Sequence, residues 1–309
     1  MENLTAYLLF TGCGAVVCVL WFFASFRRKA GTKKAALLSS LILLLGILLG
    51  VFCARLLWVL MRISAFPPLF AFRWDELSYY GGMAGVILAV CLSALAVRLP
   101  VREVLNAFAP MGALMAAAAR FAEGFLGMYG TGFVEEWIER GVFFPVTVEI
   151  AWSEDYSEFY LAVFMFSGLF SLAAMVLSLL HGKEPDRFLR TLFYLCLPQI
   201  LLETMRTTSI VWLFVRLEQL VCFLVCEGVL VYDLIRNGAG RLRSWLPALT
   251  GLLACGIIVV SEFARDGKIL IGNSMVSPWL CWLVTAAALA AMAAAEHAGR
   301  RPVPRFRAE

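Results

Sequence analysis

Charge is what this chain has least of. Asp, Glu, Lys and Arg together make up only 16% of 309 residues, while 62% are hydrophobic, and the mean hydropathy is +0.85. A soluble domain of this size needs far more charge to cover its surface. Histidine is nearly absent: His181 and His297 stand alone. The nine cysteines all fall in apolar segments, and none joins a histidine at zinc-ligand spacing, so neither a metal nor another cofactor is expected. There is no basic patch interleaved with aromatics, which argues against nucleic acid as a partner. No period of 20–50 residues repeats. A cationic stretch ahead of the first apolar run is also missing, so that run is expected to be a permanent span rather than a cleaved signal.

What is present is a series of continuous apolar runs, each about the ~20 residues that cross a hydrocarbon layer. They are not alternating, which excludes a transmembrane β-barrel. The fold expected is an all-α polytopic membrane protein with nine candidate spans, at 5–26, 35–61, 79–99, 104–126, 159–181, 188–205, 209–235, 245–263 and 279–297. Arg27, Arg28, Lys29, Lys33 and Lys34 follow the first span, and alternate loops add Arg98, Arg102, Lys183, Arg187, Arg190, Arg236, Arg241 and Arg243. With the tail arginines Arg300, Arg301, Arg305 and Arg307, they put the N-terminus outside and the C-terminus in the cytoplasm by the positive-inside rule. Two outside segments are long. Arg62 to Tyr80, with paired prolines and aromatics, suits an interfacial stretch; 127–158 carries Glu135, Glu136, Glu139, Glu149, Glu154, Asp155 and Glu158 around a strand-like FFPVTVEI and is expected to form a small extracytoplasmic head.

Against this background a few intramembrane charges stand out, because each is costly there. LNAFAPMGALMAAAARFAEGFLGMYGTG, residues 105–132, holds Arg120 and Glu123; LLETMRTTS holds Glu203 and Arg206. Both pairs are at i,i+3, a spacing that shares one helix face. Arg55 lies near the outer end of span two, and Arg216 and Gln219 near the outer start of span seven. Each pair read singly is a self-neutralising bridge between helices. Several arginines on one level suit an anionic group such as a lipid phosphate, or a transported carboxylate. Gly81, Gly82 and Gly85 open span three, as close-packing positions or as room for a lipid beside the backbone.

The same residues, in the same order, resemble the prolipoprotein diacylglyceryl transferase family over roughly 5–235. Tyr7 falls at the family's first-span tyrosine, and GVFCARLLWVL resembles its G-x-x-GAR-L-x-Y-V pattern, with Arg55 on the arginine. LSYYGGMAGVILA is similar to L-S-F-H-G-G-L-x-G, matching Ser78, Gly81, Gly82 and Gly85. ARFAEGFLG stands at the signature G-R-x-G-N-F-x-N-G-E and keeps Arg120 and Gly127. DYSEFYLAVF keeps Ser157 and Tyr160 of P-S-Q-L-Y-E; LLETMRTTS keeps Glu203 and Arg206 of E-F-F-R, and Gln219 matches a later glutamine. The departures are Tyr80 at the family histidine, Glu123, Leu126 and Met128 at the signature's two asparagines and glutamate, and Leu161 at the second glutamate.

The resemblance implies a seven-span transferase-like domain at 1–243, followed by two added spans at 244–299 and a basic tail at 300–309. It implies a bacterial cytoplasmic-membrane enzyme of lipoprotein biosynthesis. That enzyme moves a diacylglyceryl group from phosphatidylglycerol to the lipobox cysteine in a prolipoprotein signal peptide. By the same token Tyr80, Arg120, Glu123 and Arg206 are expected to be catalytic. Tyr7, Arg55, Ser78, Gly81, Gly82, Tyr160, Glu203 and Gln219 are expected to bind substrate, and membrane lipids are expected partners. Two other readings stay open: a non-catalytic relative that binds lipid or lipoprotein, and a small-anion transporter.

Overall fold

The computed structural model describes residues 3–63, 67–70, 76–132, 145–151, 153, 155–182, 184–207, 211–212, 215–237, 242–271 and 274–299. The tail at 300–309, the middle of the expected head at 133–144, and parts of the 62–80 segment lie outside them. The described chain is built from nine long helices and three short hairpins. α1 (Leu4–Ala30), α2 (Thr32–Met61), α3 (Tyr79–Ala96), α4 (Val101–Ala122), α5 (Val163–Leu180), α6 (Arg187–Met205), α7 (Leu217–Asn237), α8 (Leu242–Arg265) and α9 (Pro278–Gly299) are helical. β1 (Thr147–Ala151) pairs antiparallel with β2 (Ser157–Leu161), β3 (Val211–Trp212) with β4 (Val215–Arg216), and β5 (Leu270–Ile271) with β6 (Ser274–Met275).

Seven of the described helices are long and apolar enough to cross a membrane: α1 to α5, α8 and α9. α1 has a mean hydropathy of 2.1, yet only 11% of its most apolar window is buried. An apolar helix with so little protein around it has to be covered by lipid. This is an all-α, multi-pass membrane protein. α6 and α7 form as expected, but Arg190, Gln199 and Glu203 on one and Glu218, Glu227 and Asp233 on the other make them the polar members of the set.

Three expected boundaries move. Span five begins as a helix at Val163, because Ser157–Leu161 pairs as a strand instead. Span seven begins at Leu217, after the β3–β4 hairpin. Span four ends at Ala122, and Glu123–Gly130 continues as a tighter 3-10 turn. All three stretches are rich in Phe, Tyr, Val and Leu, whose hydropathy is the same in a strand as in a helix.

The helices fall into two compact units, 1–191 with 206–208, and 192–205 with 209–309. In the first, α1 to α4 share an apolar core at one end: Cys18, Phe22 and Phe26, Leu38 and Ile42, Val86 and Val90, Val104, Phe108 and Met111. Phe22 stacks on Phe26 at 5.2 Å and meets Phe108 edge-on at 5.7 Å, an arrangement ring quadrupoles favour. That leaves the opposite ends of the same helices for the polar residues. α2 and α3 touch backbone to backbone. A Cβ at Gly81 would lie 2.3 Å from the Cys53 carbonyl oxygen, and one at Gly85 would lie 2.2 Å from that of Leu49. Small residues are what allow such an approach between helices in lipid. In the second unit α8 and α9 form an antiparallel hairpin against α7, and they enclose an apolar groove of about 630 Å³ lined by Leu253, Ile257, Val260, Leu280 and Val284.

These contacts predict a sharp contrast. Gly85→Val must push helix backbones apart and is expected to lower stability by about 1–3 kcal/mol, the usual cost of overpacking. Gly46→Ala, whose Cβ meets nothing within 4 Å, is expected to leave it unchanged. Thermal unfolding of both variants in detergent checks the pair.

Candidate functional site

The site is built where α4 gives way to its 3-10 turn. Arg120 is in the last turn of α4, and Glu123 is the first residue beyond it. The turn is shaped by glycines. Gly127 has φ +61°, ψ −122°, a conformation that side chains resist. Gly124 and Gly130 receive Phe164 from the first turn of α5; a Cβ at either would come within 2.7 Å of that side chain. Past the turn, the Gly132 amide donates to the Leu161 carbonyl at 2.7 Å, and Gly132 pairs across to Arg206 as an isolated bridge. The Thr207 amide donates to the Thr131 carbonyl at 3.3 Å. Arg206 is thereby delivered to the same turn from a point 83 residues further along the chain.

The two arginines meet at Glu123. Arg120 Nη1 donates to Glu123 Oε1 at 2.7 Å, and Arg206 Nη2 donates to Glu123 Oε2 at 2.8 Å. Arg120 Nη2 also donates to the Tyr80 hydroxyl oxygen at 2.9 Å, and Arg206 Nη1 to the Tyr129 carbonyl at 3.0 Å. The Arg120 guanidinium lies 3.7 Å over the Tyr79 ring and 5.3 Å from the Tyr80 ring, which are perpendicular to each other. Arg120 is 1% exposed and Arg206 5%, so these contacts act with little water to screen them. One carboxylate thus holds two planar forks side by side, and an aromatic wall backs one of them. Forks of this kind are shaped to grip a phosphate.

A family model for prolipoprotein diacylglyceryl transferase matches residues 2–233. The chain belongs to this family. No individually curated protein matches the chain. The matched region runs from α1 into α7, so α8 and α9 are outside the family's own span.

Of the residues expected to be catalytic in a member of the family, the structure brings all four together: Tyr80, Arg120, Glu123 and Arg206. Tyr7, on α1, is within electrostatic reach of Glu123 and Arg120. The expected Glu203/Arg206 face is different from what the i,i+3 spacing suggests. α6 ends at Met205, and Arg206 is extended at φ −71°, ψ 143°, so it leaves the helix face and reaches Glu123 instead. Glu203 and Gln219 are buried in the second unit.

Other expected binding residues have structural work on view. Arg55, 0% exposed, donates from Nη2 to the Pro68 carbonyl at 2.8 Å and from Nη1 to the Glu76 carboxylate, with Nε 3.4 Å from the Leu69 carbonyl. It also lies 4.7 Å over the Trp58 ring. It thereby ties Pro68, Leu69 and Glu76 to α2. Ser78 caps α3, its hydroxyl accepting from the Gly81 amide, while Gly81 is filled by the α2 backbone and Gly82 has ordinary contact distances. Tyr160 is buried on β2 and its hydroxyl donates to Glu158 at 2.7 Å. Tyr79 ends the segment expected to be interfacial, yet its ring lies under Arg120, a contact that no spacing in the sequence marks.

Removing the carboxylate from between two buried guanidiniums is the most damaging small change here. Glu123→Ala is expected to cost about 3–5 kcal/mol, the range for breaking a buried ion pair from one side. Glu123→Gln, which keeps an acceptor for one arginine, should cost less. Denaturant or thermal unfolding in detergent, with phosphatidylglycerol absent, separates the two.

Proposed function

We propose that this protein transfers a diacylglyceryl group from phosphatidylglycerol to the lipobox cysteine of prolipoproteins, at the outer side of a bacterial cytoplasmic membrane, with its N-terminus outside and its C-terminus in the cytoplasm. Family membership carries the reaction type, diacylglyceryl transfer to prolipoproteins. The observation that supports the donor is the meeting of Arg120 and Arg206 on Glu123 beside Tyr80. Phosphatidylglycerol offers a phosphodiester between its diacylglyceryl and glycerol halves, and two buried guanidinium forks complement that group.

In the proposed step the cysteine sulfur attacks the diacylglyceryl carbon that bears the phosphate. A C–S bond forms, the C–O bond breaks, and glycerol phosphate leaves with the bonding pair. Charge gathers on the phosphate as it departs, so donors held in advance at that position lower the barrier. Arg120 and Arg206 fill this role. Glu123 has each carboxylate oxygen engaged by one of these arginines, and its part is to set the spacing between them.

The thiol must lose its proton, because the thiolate is the nucleophile. Tyr80 occupies the position of the family histidine and is the side chain from which a proton relay would start. A phenol that ionises near ~10 is a poor base at neutral pH. That substitution, with Glu123 and Leu126 at the places of the family's two asparagines, favours the second reading, a relative that binds the lipid or the lipoprotein without turning it over.

Expression in a bacterium depleted of its own transferase, with mass spectrometry of a reporter lipoprotein, separates the readings. A diacylglyceryl-modified cysteine is expected. Arg120→Ala and Arg206→Ala are each expected to reduce modification by about 10²–10³-fold, the usual effect of losing one oxyanion donor. Unmodified reporter alongside folded, inserted protein would leave the binding reading, and intact transfer in both variants would remove the arginines from the mechanism. Tyr80→His is expected to raise the rate, and Tyr80→Phe to lower it.

A further inference from the structure

The last two helices are outside the matched family region, yet one of them finishes the helix that leads to Arg206. The final four carbonyls of any α-helix have no partner within it, and in a membrane each needs another donor. At the end of α6, Arg265 of α8 supplies one: its Nη1 donates to the Thr204 carbonyl at 2.6 Å. Its Nη2 donates to Glu262 at 2.6 Å, one turn earlier on α8. Gln219 of α7 donates to the Ile200 carbonyl at 3.1 Å and also engages the Glu262 side chain. Arg216 lies within electrostatic range of Glu203, Glu262 and Arg265. Thr204 and Glu203 are 1% and 0% exposed, and Gln219 and Glu262 are nearly as deep. At its other end the hairpin holds α6 again, where the Tyr194 hydroxyl donates to buried Glu296 of α9 at 2.9 Å.

A cation at a helix C-terminus also meets the negative end of the helix dipole. Arg265 therefore combines a cap, a dipole partner and a link through Glu262 to Gln219. The capped carbonyl is two residues before Arg206 in the chain, and Arg206 is no longer helical. The direction in which the chain leaves α6 depends on how its last turn is held.

We propose that Arg265 is a positioning residue for the transfer reaction, acting through the end of α6 on Glu203 and Arg206, so that the added hairpin is a working part of the enzyme. This rests on the proposed transferase reading, because it is that reading which gives Arg206 a substrate to hold. Merely anchoring the hairpin would need only that α8 pack on α6; positioning needs a cationic donor at the end of α6.

The test uses the full chain reconstituted in lipid nanodiscs containing phosphatidylglycerol. Transfer to a lipobox peptide gives kcat and KM, and native mass spectrometry gives phosphatidylglycerol binding. Arg265→Ala is expected to lower kcat per folded protein by at least about tenfold, as a displaced catalytic group does. Phosphatidylglycerol binding should weaken in parallel, with the peptide KM little changed. Arg265→Lys, which keeps a donor and the charge at the helix end, should recover most of the loss. Lys268→Ala, at a half-exposed residue paired with Asp266, is expected to have no effect. An Arg265→Ala protein that melts earlier but keeps kcat and lipid binding would overturn the proposal and leave the residue a stabilising contact. If the unmodified chain transfers nothing yet binds phosphatidylglycerol, the catalytic reading alone fails, and the proposal stands or falls on whether Arg265→Ala weakens that binding and Arg265→Lys restores it. A chain that binds no phosphatidylglycerol overturns both.

Discussion

Two guanidiniums on one buried carboxylate is the constraint that the first unit is arranged to meet. Burying Arg120, Glu123 and Arg206 takes three charges out of water, and the cost is recovered only if geometry is tight and the remaining donors are filled. Each part of the surrounding structure can be traced to that demand. Glu123 keeps the helical conformation of α4 and so stays one turn from Arg120, and the glycine-rich 3-10 turn that follows gives the Tyr129 carbonyl to Arg206. α3 brings Tyr79 and Tyr80 to Arg120, and it reaches there because Gly81 and Gly85 let it lie against the α2 backbone. Arg55 fixes the segment that leads into α3, and Ser78 caps its first turn. The apolar core around Phe22 and Phe108 is at the far ends of the same helices and includes none of the charged residues.

Much of this was legible in the chain before any coordinates. Hydropathy located the helices because nothing but lipid tolerates runs so apolar, and the Arg120/Glu123 spacing announced a contact that the structure contains. What failed to be legible was local conformation at the polar ends. Glu203 and Arg206 read as a helical pair, but the helix stops between them, and an i,i+3 rule has no force once one residue is extended. The partner Arg206 finds is 83 positions away, brought there by a backbone bridge to Gly132 that carries no side-chain signature. Strands β2 and β3 were absorbed into spans because aromatic and branched residues are equally apolar in either geometry. Gly81 and Gly82 read alike, yet a Cβ at Gly81 would strike the Cys53 carbonyl at 2.3 Å while one at Gly82 would meet only ordinary contacts at 3.8 Å. That difference is a matter of helix rotation, which composition does not encode.

The second unit addresses a different problem. α6 and α7 carry Glu203, Gln219, Glu227 and Asp233, too many polar groups to face hydrocarbon on every side. α8 and α9 meet several of these with groups of their own: Arg265 and Glu262 at one end, Glu296 at the other, and between them Gly251, where a Cβ would strike the Glu227 carboxylate at 1.8 Å. Among the described residues the hairpin exposes Leu249, Leu252, Leu253, Val260, Leu280 and Leu283, while Glu262, Arg265 and Glu296 turn to partners on α6 or α7. A pair of helices that merely anchored the chain in the bilayer would have no reason to carry buried charges at both ends.

Tyr80 shows how far the same scaffold can shift its chemistry. A histidine at that position would offer a ring nitrogen ionising near ~6.5, matched to taking a proton at neutral pH. The tyrosine instead offers an oxygen that Arg120 already holds at 2.9 Å, and a ring that stands edge-on to Tyr79. The first contact orients the hydroxyl and the second fixes the plane of the ring, so the phenol is well placed even though its intrinsic basicity is wrong for the task. Glu123 has both oxygens committed to arginine. In the proposed reaction, deprotonation of the incoming thiol would then depend more on the field of the two guanidiniums than on any single base, because a cationic surround favours the thiolate directly. The arginines would serve both ends of the displacement, favouring the thiolate by their charge and holding the phosphate that leaves, while the proton from sulfur passes to that departing phosphate, which gains a negative charge as the C–O bond breaks.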